Sequence, residues 1–487
     1  MNQPQLKKTI GFWSATTLVI GGIIGSTIFM KPAVMAAQLP SPILLLAVWI
    51  VGGIVSIFGA MAFAELGTMF PETGGQYVYL QKAYGDFVAY LYGWGSIAVI
   101  NSAAISAIAY VCASYTGYFV HLPRFSEEVE NSIRLHLPGV GDIFPLQNAG
   151  LKSLAIAMLM GLTWVNWRSV RSGNAIQFIA TVLKVIALLL LVLGILFSGS
   201  GHVVNLVQDG SNFQLHGFGI VTAFMAATTG ALASYDGWNN LNMVAGEIKN
   251  PSRNITRSLL IGVSVCILVY VLITVAYLYV LPVDDMAGSP TVASDAIQRA
   301  LGSNAGVTIA ALIVLSTFGA VSANLLANSR VIFSMAQGGN FFAWAARIHP
   351  RNQTPGNAVV ILGVWSSLLI ITGSFDILTD MFIFMSWLCY FMVVLAVFVM
   401  RKKMPDAPRP YRVQGYPWVP ICFLVFTAFY LGSTLYYDIS NYNSGKSPVI
   451  NSVFSIILTL TGVPFFRYFR KKYGRPASAQ EPGGPIK

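Results

Sequence analysis

The sequence predicts an all-α integral membrane protein with about twelve transmembrane helices. Of its 487 residues, 55% are hydrophobic and only 10% are charged, which is far too apolar for a soluble domain. Apolar runs of about 20 residues recur along most of the chain, and each can cross roughly 30 Å of hydrocarbon. The first run is too long for a cleaved signal peptide, and Lys31 follows it instead of a cleavage site.

Each predicted span is an apolar run, and the segments left between spans are short. The longest gap, 121–148, is polar and acidic. The expected spans are 10–37, 41–66, 86–118, 149–169, 174–199, 217–245, 258–281, 304–335, 357–374, 380–400, 417–438 and 449–468.

The orientation follows from the placement of lysine and arginine. With the N-terminus inside, 22 of the 29 basic residues fall on the cytoplasmic side and six on the other side. Short cytoplasmic loops are enriched in Lys and Arg. We therefore expect a multi-pass protein of the cell membrane with both termini in the cytoplasm. The net charge of +11 then reflects topology and an anionic leaflet, and no nucleic-acid partner is expected.

The four cysteines indicate small core residues. Each lies in an apolar span and none lies in an external loop: Cys112, Cys266, Cys389 and Cys422. Buried free cysteine usually behaves as a small hydrophobe. No disulfide-linked subunit is therefore expected.

Two spans carry polar and glycine-rich interruptions where a membrane helix would normally carry leucine. The first reads "LVIGGIIGSTIF" from Leu18 to Phe29, and the sixth reads "TGALASYDGWNN" over 229–240. Four uninterrupted spans separate them, so two five-span units would each open with a broken helix. An odd number of spans inverts the second unit, as in secondary transporters whose binding site lies where the broken helices meet.

A pair of such breaks suits a zwitterion. In hydrocarbon, unwound backbone survives only where it is buried or lines a watery cavity. A new helix N-terminus presents N–H groups to a carboxylate, and a new C-terminus presents carbonyl oxygens to an ammonium group. The alternative is that glycine, serine and threonine only allow close helix packing, but two clusters at equivalent positions favour a site.

Several motifs resemble the amino acid–polyamine–organocation (APC) superfamily, especially its L-type amino acid transporter branch. The first is "GGIIGSTIFMKP" in span one. The others are "AELGTMFPETGGQYVYLQKAYG" (Ala64–Gly85), "SYDGWNNLNMVAGEIKNPSRN" (Ser234–Asn254) and "NSRVIFSMAQGGNFFAWAARIHPRNQTP" (Asn328–Pro355). The motifs cover most of residues 10–400 in the family's order.

The resemblance implies a LeuT-type fold with five-plus-five inverted repeats and alternating-access transport or exchange of L-amino acids. The implied organisation is a cytoplasmic N-terminus (1–9), a first repeat (10–199), a second repeat (200–400), two additional spans (401–473) and a cytoplasmic tail (474–487). The implied substrates are small, neutral L-amino acids transported without sodium. The alternatives are a cationic amino acid or polyamine transporter and a non-transporting sensor on the same fold.

The resemblance also implies the substrate site. By analogy, the substrate carboxylate would meet Ser26 and Thr27 beside Gly25, and the amine would meet carbonyls of Ile23, Ala233 and Asp236. Ser234 and Tyr235 complete the second stretch. Thr27 replaces the branch's usual glycine and favours a small substrate. Ala233 stands where an aromatic gate is common, so whether Ala233 or Tyr235 serves as the gate is left open.

Lys184 lies near the middle of span five. It is about ten residues, or roughly 15 Å, from either end, too far for its side chain to reach water. An ionisable group at this depth must face the bundle interior and have a partner. The resembled family carries a lysine on span five where sodium-coupled relatives hold a cation. We therefore expect Lys184 to bridge spans one and five in a coupling role, with a purely structural contact as the alternative.

The remaining polar residues near the breaks have two interpretations each. Asp236 could attract an ammonium group or cap the following half-helix. Asn101 in span three could face the substrate or join helices by hydrogen bonding. Trp238 and Asn239 flank the second break and could line a pocket or gate.

The sequence lacks the residue patterns that membrane enzymes and metal-binding proteins require. The five histidines fall in loops or at span ends, and no metal spacing, phosphate-binding loop or nucleophile motif is present. We therefore expect no enzyme activity, no catalytic residue, no metal and no cofactor. The expected partners are a small amino acid and the lipid bilayer.

Overall fold

Helices dominate the computed structural model of this chain, which describes residues 10–71, 74–168, 170–211, 213, 216–243, 245–348 and 355–473. The predicted N-terminal segment 1–9 and tail 474–487 lie outside these residues.

The first half of the chain contains nine α-helices, counted over its described residues. They are α1 (Phe12–Ile23), α2 (Lys31–Gln38), α3 (Pro42–Met69), α4 (Gln76–Tyr84), α5 (Asp86–Gly95), α6 (Asn101–Thr116), α7 (Glu127–Glu130), α8 (Ala149–Arg168) and α9 (Val170–Leu196). A single π-helical stretch, Ser96–Ile100, joins α5 to α6.

The second half begins after a short 3₁₀ turn at Val203–Leu206. Its helices, in the part of the chain that the structure covers, are α10 (Phe218–Tyr235), α11 (Asn240–Met243), α12 (Pro251–Val280), α13 (Val283–Ala287), α14 (Val292–Leu301), α15 (Ser303–Gln337), α16 (Gly356–Thr372), α17 (Phe375–Lys403), α18 (Trp418–Asn443), α19 (Asn451–Leu460) and α20 (Gly462–Tyr473).

Eight helical segments of the described chain are long and apolar enough to cross a membrane, which confirms a multi-span helical membrane protein. They are Pro42–Met69, Asp86–Thr116, Ala149–Arg168, Arg253–Val280, Ser303–Gln337, Phe375–Lys403, Trp418–Asn443 and Asn451–Tyr473. Shorter apolar helices include Phe12–Ile23, Leu183–Leu196 and Gly356–Thr372. The count of about twelve spans stays a prediction.

The polar segment 121–148 contains a small β-hairpin that the all-α prediction missed. Leu135–Leu137 pairs antiparallel with Gly141–Ile143, and three-residue strands are too short to show an alternating pattern. Arg134 and His136 both contact the Asp142 carboxylate. These partners, Arg134 first, hold the pKa of Asp142 below its ordinary value.

The helix packing places α1 and α10 inside the bundle. Helix α1 packs on α12, α10 packs on α2 and α3, and α15 packs on both α6 and α9. Each of these neighbours is a long apolar helix except α2. The two helices that end in the interrupted stretches are therefore surrounded by other helices.

A buried carboxylate fixes the connector between α17 and α18 to α3. Glu65, which is 1% exposed, accepts hydrogen bonds from Arg401 at 2.9 and 2.6 Å and from the Val413 amide at 2.8 Å. Arg409 lies 3.7 Å away and donates to the last carbonyls of α17. A carboxylate with this many donors is strongly held.

We expect Glu65→Gln to lower the free energy of unfolding by about 3 kcal/mol, because it leaves two arginines without their counter-charge. Chemical unfolding in mixed micelles, followed by tryptophan fluorescence, measures the loss. Asp406→Asn, an exposed change on the same connector, is the matched control. Equal unfolding midpoints for the two variants would contradict a structural role for this ion pair.

Candidate functional site

The first interruption begins where α1 ends at Ile23. Ile24 leaves the helical region with φ −65° and ψ 92°, and a 3₁₀ turn at Thr27–Phe29 precedes α2. None of the described backbone hydrogen bonds uses the amide of Ser26 or Thr27. These two N–H groups are therefore available to an acceptor on a ligand.

The second interruption begins where α10 ends at Tyr235. Asp236 is extended (φ −59°, ψ 143°), and Gly237 has φ +113°, a conformation that favours glycine. Helix α11 resumes only at Asn240. No backbone hydrogen bond described for this region uses the Ala233 carbonyl, so this oxygen is available to a donor on a ligand.

The two interruptions touch through two glycines. A Cβ added to Gly237 would lie 2.4 Å from the Gly22 carbonyl oxygen, and one added to Gly22 would lie 3.0 Å from the Gly237 oxygen. Real Cβ atoms do not approach backbone this closely. The absence of side chains at both positions therefore allows the two ends to meet.

Tyr270 of α12 contacts both helix ends. Its hydroxyl lies 2.8 Å from the Ile23 oxygen and 2.8 Å from the Ser234 oxygen. One hydroxyl carries one hydrogen, so it donates to only one of these carbonyls at a time. The ring is held by Trp49 and Tyr235, with centroids 5.2 Å away in each case.

Lys184 of α9 contacts the first interruption directly. Its Nζ donates to the Ile24 carbonyl oxygen at 2.6 Å. A charge-assisted hydrogen bond to an otherwise orphaned carbonyl stabilises both groups in a low-dielectric interior. The contact joins α9 to the end of α1, while the coupling role of Lys184 stays a prediction.

Asp236 is held by Tyr390 of α17, whose hydroxyl donates to Oδ1. Tyr390 packs against Phe63 at 5.8 Å and Trp238 at 5.2 Å between ring centroids. The second carboxylate oxygen has no hydrogen bond among the described side chains. The backbone amide of Gly237 also donates to the carboxylate, so Tyr390 and the chain itself fix the orientation of Asp236.

A cavity of about 480 Å³ lies at the interruptions. Its only charged lining residues within the described chain are Lys184 and Asp236, so the two formal charges cancel. The remainder is apolar or neutral: Thr17, Leu18, Gly21, Gly22, Ile23, Ile24, Gly25, Ser26, Thr27, Ala104, Ala107, Ile108, Ala233, Gly237, Asn240, Ser316, Gly319, Ala320, Ala323, Asn324, Ala327, Phe375 and Phe382. Such a lining suits a small solute with both charges.

The cavity brings together most of the residues predicted from sequence. Seven of them line it: Ile23, Gly25, Ser26, Thr27, Ala233, Asp236 and Lys184. Their roles toward a ligand stay predictions.

The other predicted residues lie outside the cavity lining. Tyr235 is fully buried, and its hydroxyl donates to the Trp49 carbonyl at 2.9 Å. Ser234 donates back to the Gly230 carbonyl. Trp238 packs on Phe63, with ring centroids 4.7 Å apart.

Two predicted asparagines also lie outside the lining. Asn101 begins α6, one turn before the cavity residue Ala104. Asn239 is 7% exposed, and its Oδ1 has no hydrogen-bond partner among the described residues. A buried amide oxygen without a partner is costly, so Asn239 has capacity for a donor from water or a ligand.

Sequence reasoning missed four residues around the cavity. They are Tyr270, Tyr390, Phe375 and Phe382. A tyrosine in an apolar span is a weak signal, because a buried hydroxyl needs a partner but its sequence does not show which one. The two phenylalanines are indistinguishable from core residues in the sequence.

A buried lysine closes the side of the bundle beyond the first interruption. Lys31, whose side chain is 2% exposed, contacts Asp376 at 3.0 Å and Asp380 at 3.4 Å. Its Nζ also lies 5.2 Å from the ring centroid of Phe375, which lines the cavity. The ion pairs therefore join α2 to α17 beside the cavity.

The structure is a bundle of apolar spans in which two helix ends meet at a charge-balanced cavity. This arrangement is typical of a membrane protein that binds a small dipolar solute. The family model for amino acid permeases matches residues 10–463. The chain therefore belongs to the amino acid permease family, which confirms the resemblance to the APC superfamily.

Several relatives are similar over nearly their whole length. The serine/threonine exchanger SteT of Bacillus subtilis is 30% identical, over 96% of this chain and 98% of the relative. The human large neutral amino acids transporter small subunit 2 is 32% identical, over 95% and 80%. The mouse b(0,+)-type amino acid transporter 1 is 29% identical, over 99% and 91%.

Family membership confirms three predictions made from the sequence. The chain is a membrane transporter of amino acids, it is not an enzyme, and it resides in a membrane through several spans.

We expect Gly237→Ala to reduce transport of labelled amino acid by more than tenfold, because the new methyl group meets the Gly22 carbonyl and the residue has a positive φ. Uptake by proteoliposomes measures the loss. Gly432→Ala is the matched control, since its Cβ meets nothing within 4 Å in the middle of α18. Full transport by Gly237→Ala would contradict close contact between the interruptions.

Proposed function

We propose that this permease exchanges small neutral L-amino acids by alternating access and without sodium. The observation that carries the proposal is the pair of abutting helix ends, with unpaired amides at Ser26 and Thr27 and an unpaired carbonyl at Ala233. These groups offer donors to a carboxylate and an acceptor to an ammonium group at one cavity.

The proposed architecture is a LeuT-type fold with five-plus-five inverted repeats over 10–199 and 200–400. Helices α1 and α2 then form one span that is unwound at mid-membrane, and α10 with α11 forms its counterpart. The two additional spans occupy 401–473. Support comes from the short apolar helix Phe12–Ile23 and from the α10 interruption, since neither half alone crosses about 30 Å of hydrocarbon comfortably.

In the proposed binding mode, the substrate carboxylate accepts from the amides at Ser26 and Thr27. The substrate ammonium donates to the Ala233 carbonyl and to the Asp236 carboxylate, which has acceptor capacity beyond its bonds to Tyr390 and the Gly237 amide. The Ile23 carbonyl, also predicted from sequence, is shared with Tyr270, so an ammonium bound there competes with that hydroxyl. The assignment of the gate to Ala233 or Tyr235 stays a prediction.

Sodium independence is supported by the position of Lys184. Its ammonium group already contacts the Ile24 carbonyl, which an interrupted helix would otherwise offer to a cation. A second positive charge within about 4 Å would be repelled by several kcal/mol at the effective dielectric of a protein. Lys184 therefore acts in place of a bound cation.

The substrate class is supported by the cavity and by the relatives. Thr27 adds a side chain beside the carboxylate position, which favours a small substrate. The names of both relatives specify neutral amino acids: serine and threonine for SteT, and large neutral amino acids for the human relative. A second candidate is a cationic substrate, because Asp236 presents a carboxylate to the cavity. An amino acid sensor on the same fold is the third.

The proposed orientation has both termini in the cytoplasm. The cavity is then lined by the cytoplasmic half of span one, including Thr17 and Gly21, and by Asn324 and Ala327 of α15. The Lys31 ion pairs close the opposite, external side. This arrangement corresponds to an inward-facing state.

We propose that the chain works without a disulfide-linked subunit. Cys112, Cys266 and Cys389 are buried, but Cys422 is exposed, so the prediction of a core residue is wrong there. Cys422 lies within the apolar helix α18, so in the proposed span its thiol faces lipid. A disulfide needs an accessible thiol in an oxidising compartment. This proposal distinguishes the chain from the human relative, whose name, "small subunit", indicates that it belongs to a larger assembly.

Reconstituted protein tests transport directly. We expect uptake of labelled alanine or serine into proteoliposomes to require internal amino acid and to be unchanged when choline replaces sodium. Competition by a panel of unlabelled amino acids identifies the preferred substrate. Uptake that persists without internal substrate would contradict exchange, collapse in choline would contradict sodium independence, and no uptake in either condition would favour a sensor.

Asp236→Asn distinguishes the substrate classes. We expect it to reduce alanine uptake by about tenfold or more, because a hydrogen bond to a charged group contributes roughly 1.5–3 kcal/mol, while lysine remains a poor substrate throughout. Asp209→Asn, an exposed change, is the matched control. Wild-type lysine uptake that Asp236→Asn abolishes, with alanine uptake intact, would support the cationic alternative.

A further inference from the structure

The last helix, α20, combines aromatic and basic side chains. Its sequence "GVPFFRYFRKKY" contains four basic residues and no acidic one. Phe465 stacks on Trp94, with ring centroids 4.7 Å apart, and Phe469 packs on Phe342 at 5.2 Å. One face of α20 is thus anchored to α5 and to the segment between α15 and α16.

A groove of about 490 Å³ opens beside this anchored face, between α20 and the first turn of α5. Half of its lining is apolar and half is basic: Phe87, Val463, Phe466, Arg467, Arg470 and Lys471. Phe87 is 41% exposed, so the groove has an apolar aromatic wall that a ligand can contact.

The basic half of the groove lacks counter-charges. None of the ion pairs among the described residues involves Arg467, Arg470 or Lys471. Asp86, which directly precedes Phe87, does not line the groove. Its carboxylate accepts a hydrogen bond from Gln81 at 2.9 Å. Three positive charges therefore line the groove without an acidic partner among the described residues.

The location of the groove indicates which kind of ligand it binds. It lies at the end of the apolar segment Asn451–Tyr473, and a helix that spans a bilayer leaves the hydrocarbon for the headgroups at its end. Clusters of Lys and Arg next to a span attract anionic lipids. An apolar wall beside three cations matches a molecule with a phosphate and an acyl chain, whereas free phosphate would leave the apolar half without a contact.

We propose that this groove binds one anionic phospholipid. The phosphate contacts Arg467, Arg470 and Lys471, and an acyl chain covers Phe87 and Phe466. With the proposed orientation, the lipid comes from the cytoplasmic leaflet. The contact site itself does not depend on that orientation or on the transported substrate.

Native mass spectrometry of the purified full-length chain tests the site, with phosphatidylglycerol and phosphatidylcholine of the same acyl composition as probes. We expect one phosphatidylglycerol to bind preferentially. Arg470→Gln should weaken its binding about fivefold, and Arg467→Gln/Arg470→Gln/Lys471→Gln by on the order of 100-fold, given the typical contribution of one basic residue at an anionic surface.

Lys472→Gln is the matched control. It removes the same charge from the same helix, but Lys472 contacts Tyr468 at 3.2 Å and lies outside the groove. We expect it to keep phosphatidylglycerol binding. Equal affinity for the two lipids, or equal loss in Arg470→Gln and Lys472→Gln, would overturn the proposal. Full displacement by glycerol 3-phosphate would also overturn it, because the ligand would then be a free phosphate.

Alanine exchange by the variants, measured in phosphatidylcholine vesicles, separates this inference from the proposed function. If the groove variants lose phosphatidylglycerol binding but keep alanine exchange, the lipid site is supported independently of transport. If no protein, wild type included, exchanges alanine, the proposed function fails while the lipid-binding measurements still test the groove.

Discussion

The structure depends on one constraint: backbone polar groups inside hydrocarbon must be paired or face a polar ligand. The chain ends two helices inside the bundle, at Ile23 and Tyr235, and satisfies most of the freed groups with long-range partners. Tyr270 and Lys184 supply donors to carbonyls, and Tyr390 orients the carboxylate that follows the second helix end. The amides of Ser26 and Thr27 and the Ala233 carbonyl remain unpaired among the described backbone groups, and all three residues line the cavity. In the proposed binding mode, recognition of a zwitterion therefore depends on unpaired backbone groups together with the Asp236 carboxylate.

Charge balance follows from the same constraint. One cation and one anion line the cavity, and each already has one hydrogen-bond partner of the protein. Their charges cancel, so a neutral zwitterion enters without adding net charge to the membrane interior. On the other side of the cavity, the buried Lys31 is also paired, with two aspartates on α17. Breaking a buried pair of this kind is costly, so opening this side requires a compensating gain elsewhere, such as exposure of the charges to water.

The sequence predicts those structural elements that depend on residues close together along the chain. The helix ends at Ile23 and Tyr235 fall within the two glycine-rich stretches, and a lysine in mid-span predicts a partner near the interruption. Tertiary partners are different. Tyr270 meets Ile23 across 247 residues, and Tyr390 meets Asp236 across 154. Lys31 lies within the predicted span 10–37 and meets aspartates 345 and 349 residues away. Single-sequence patterns carry no information on such pairings, nor on a hairpin with three-residue strands.

The central claim is that both poles of the substrate are bound by the two abutting helix ends. The most direct measurement is an electron cryo-microscopy map of the full-length permease in a lipid nanodisc with saturating transported amino acid, compared with a map without it. The account predicts substrate density between the amides at Ser26 and Thr27 and the carbonyl at Ala233, with the helices interrupted on both sides. Continuous helical density through either stretch, or substrate density elsewhere in the bundle, would contradict it.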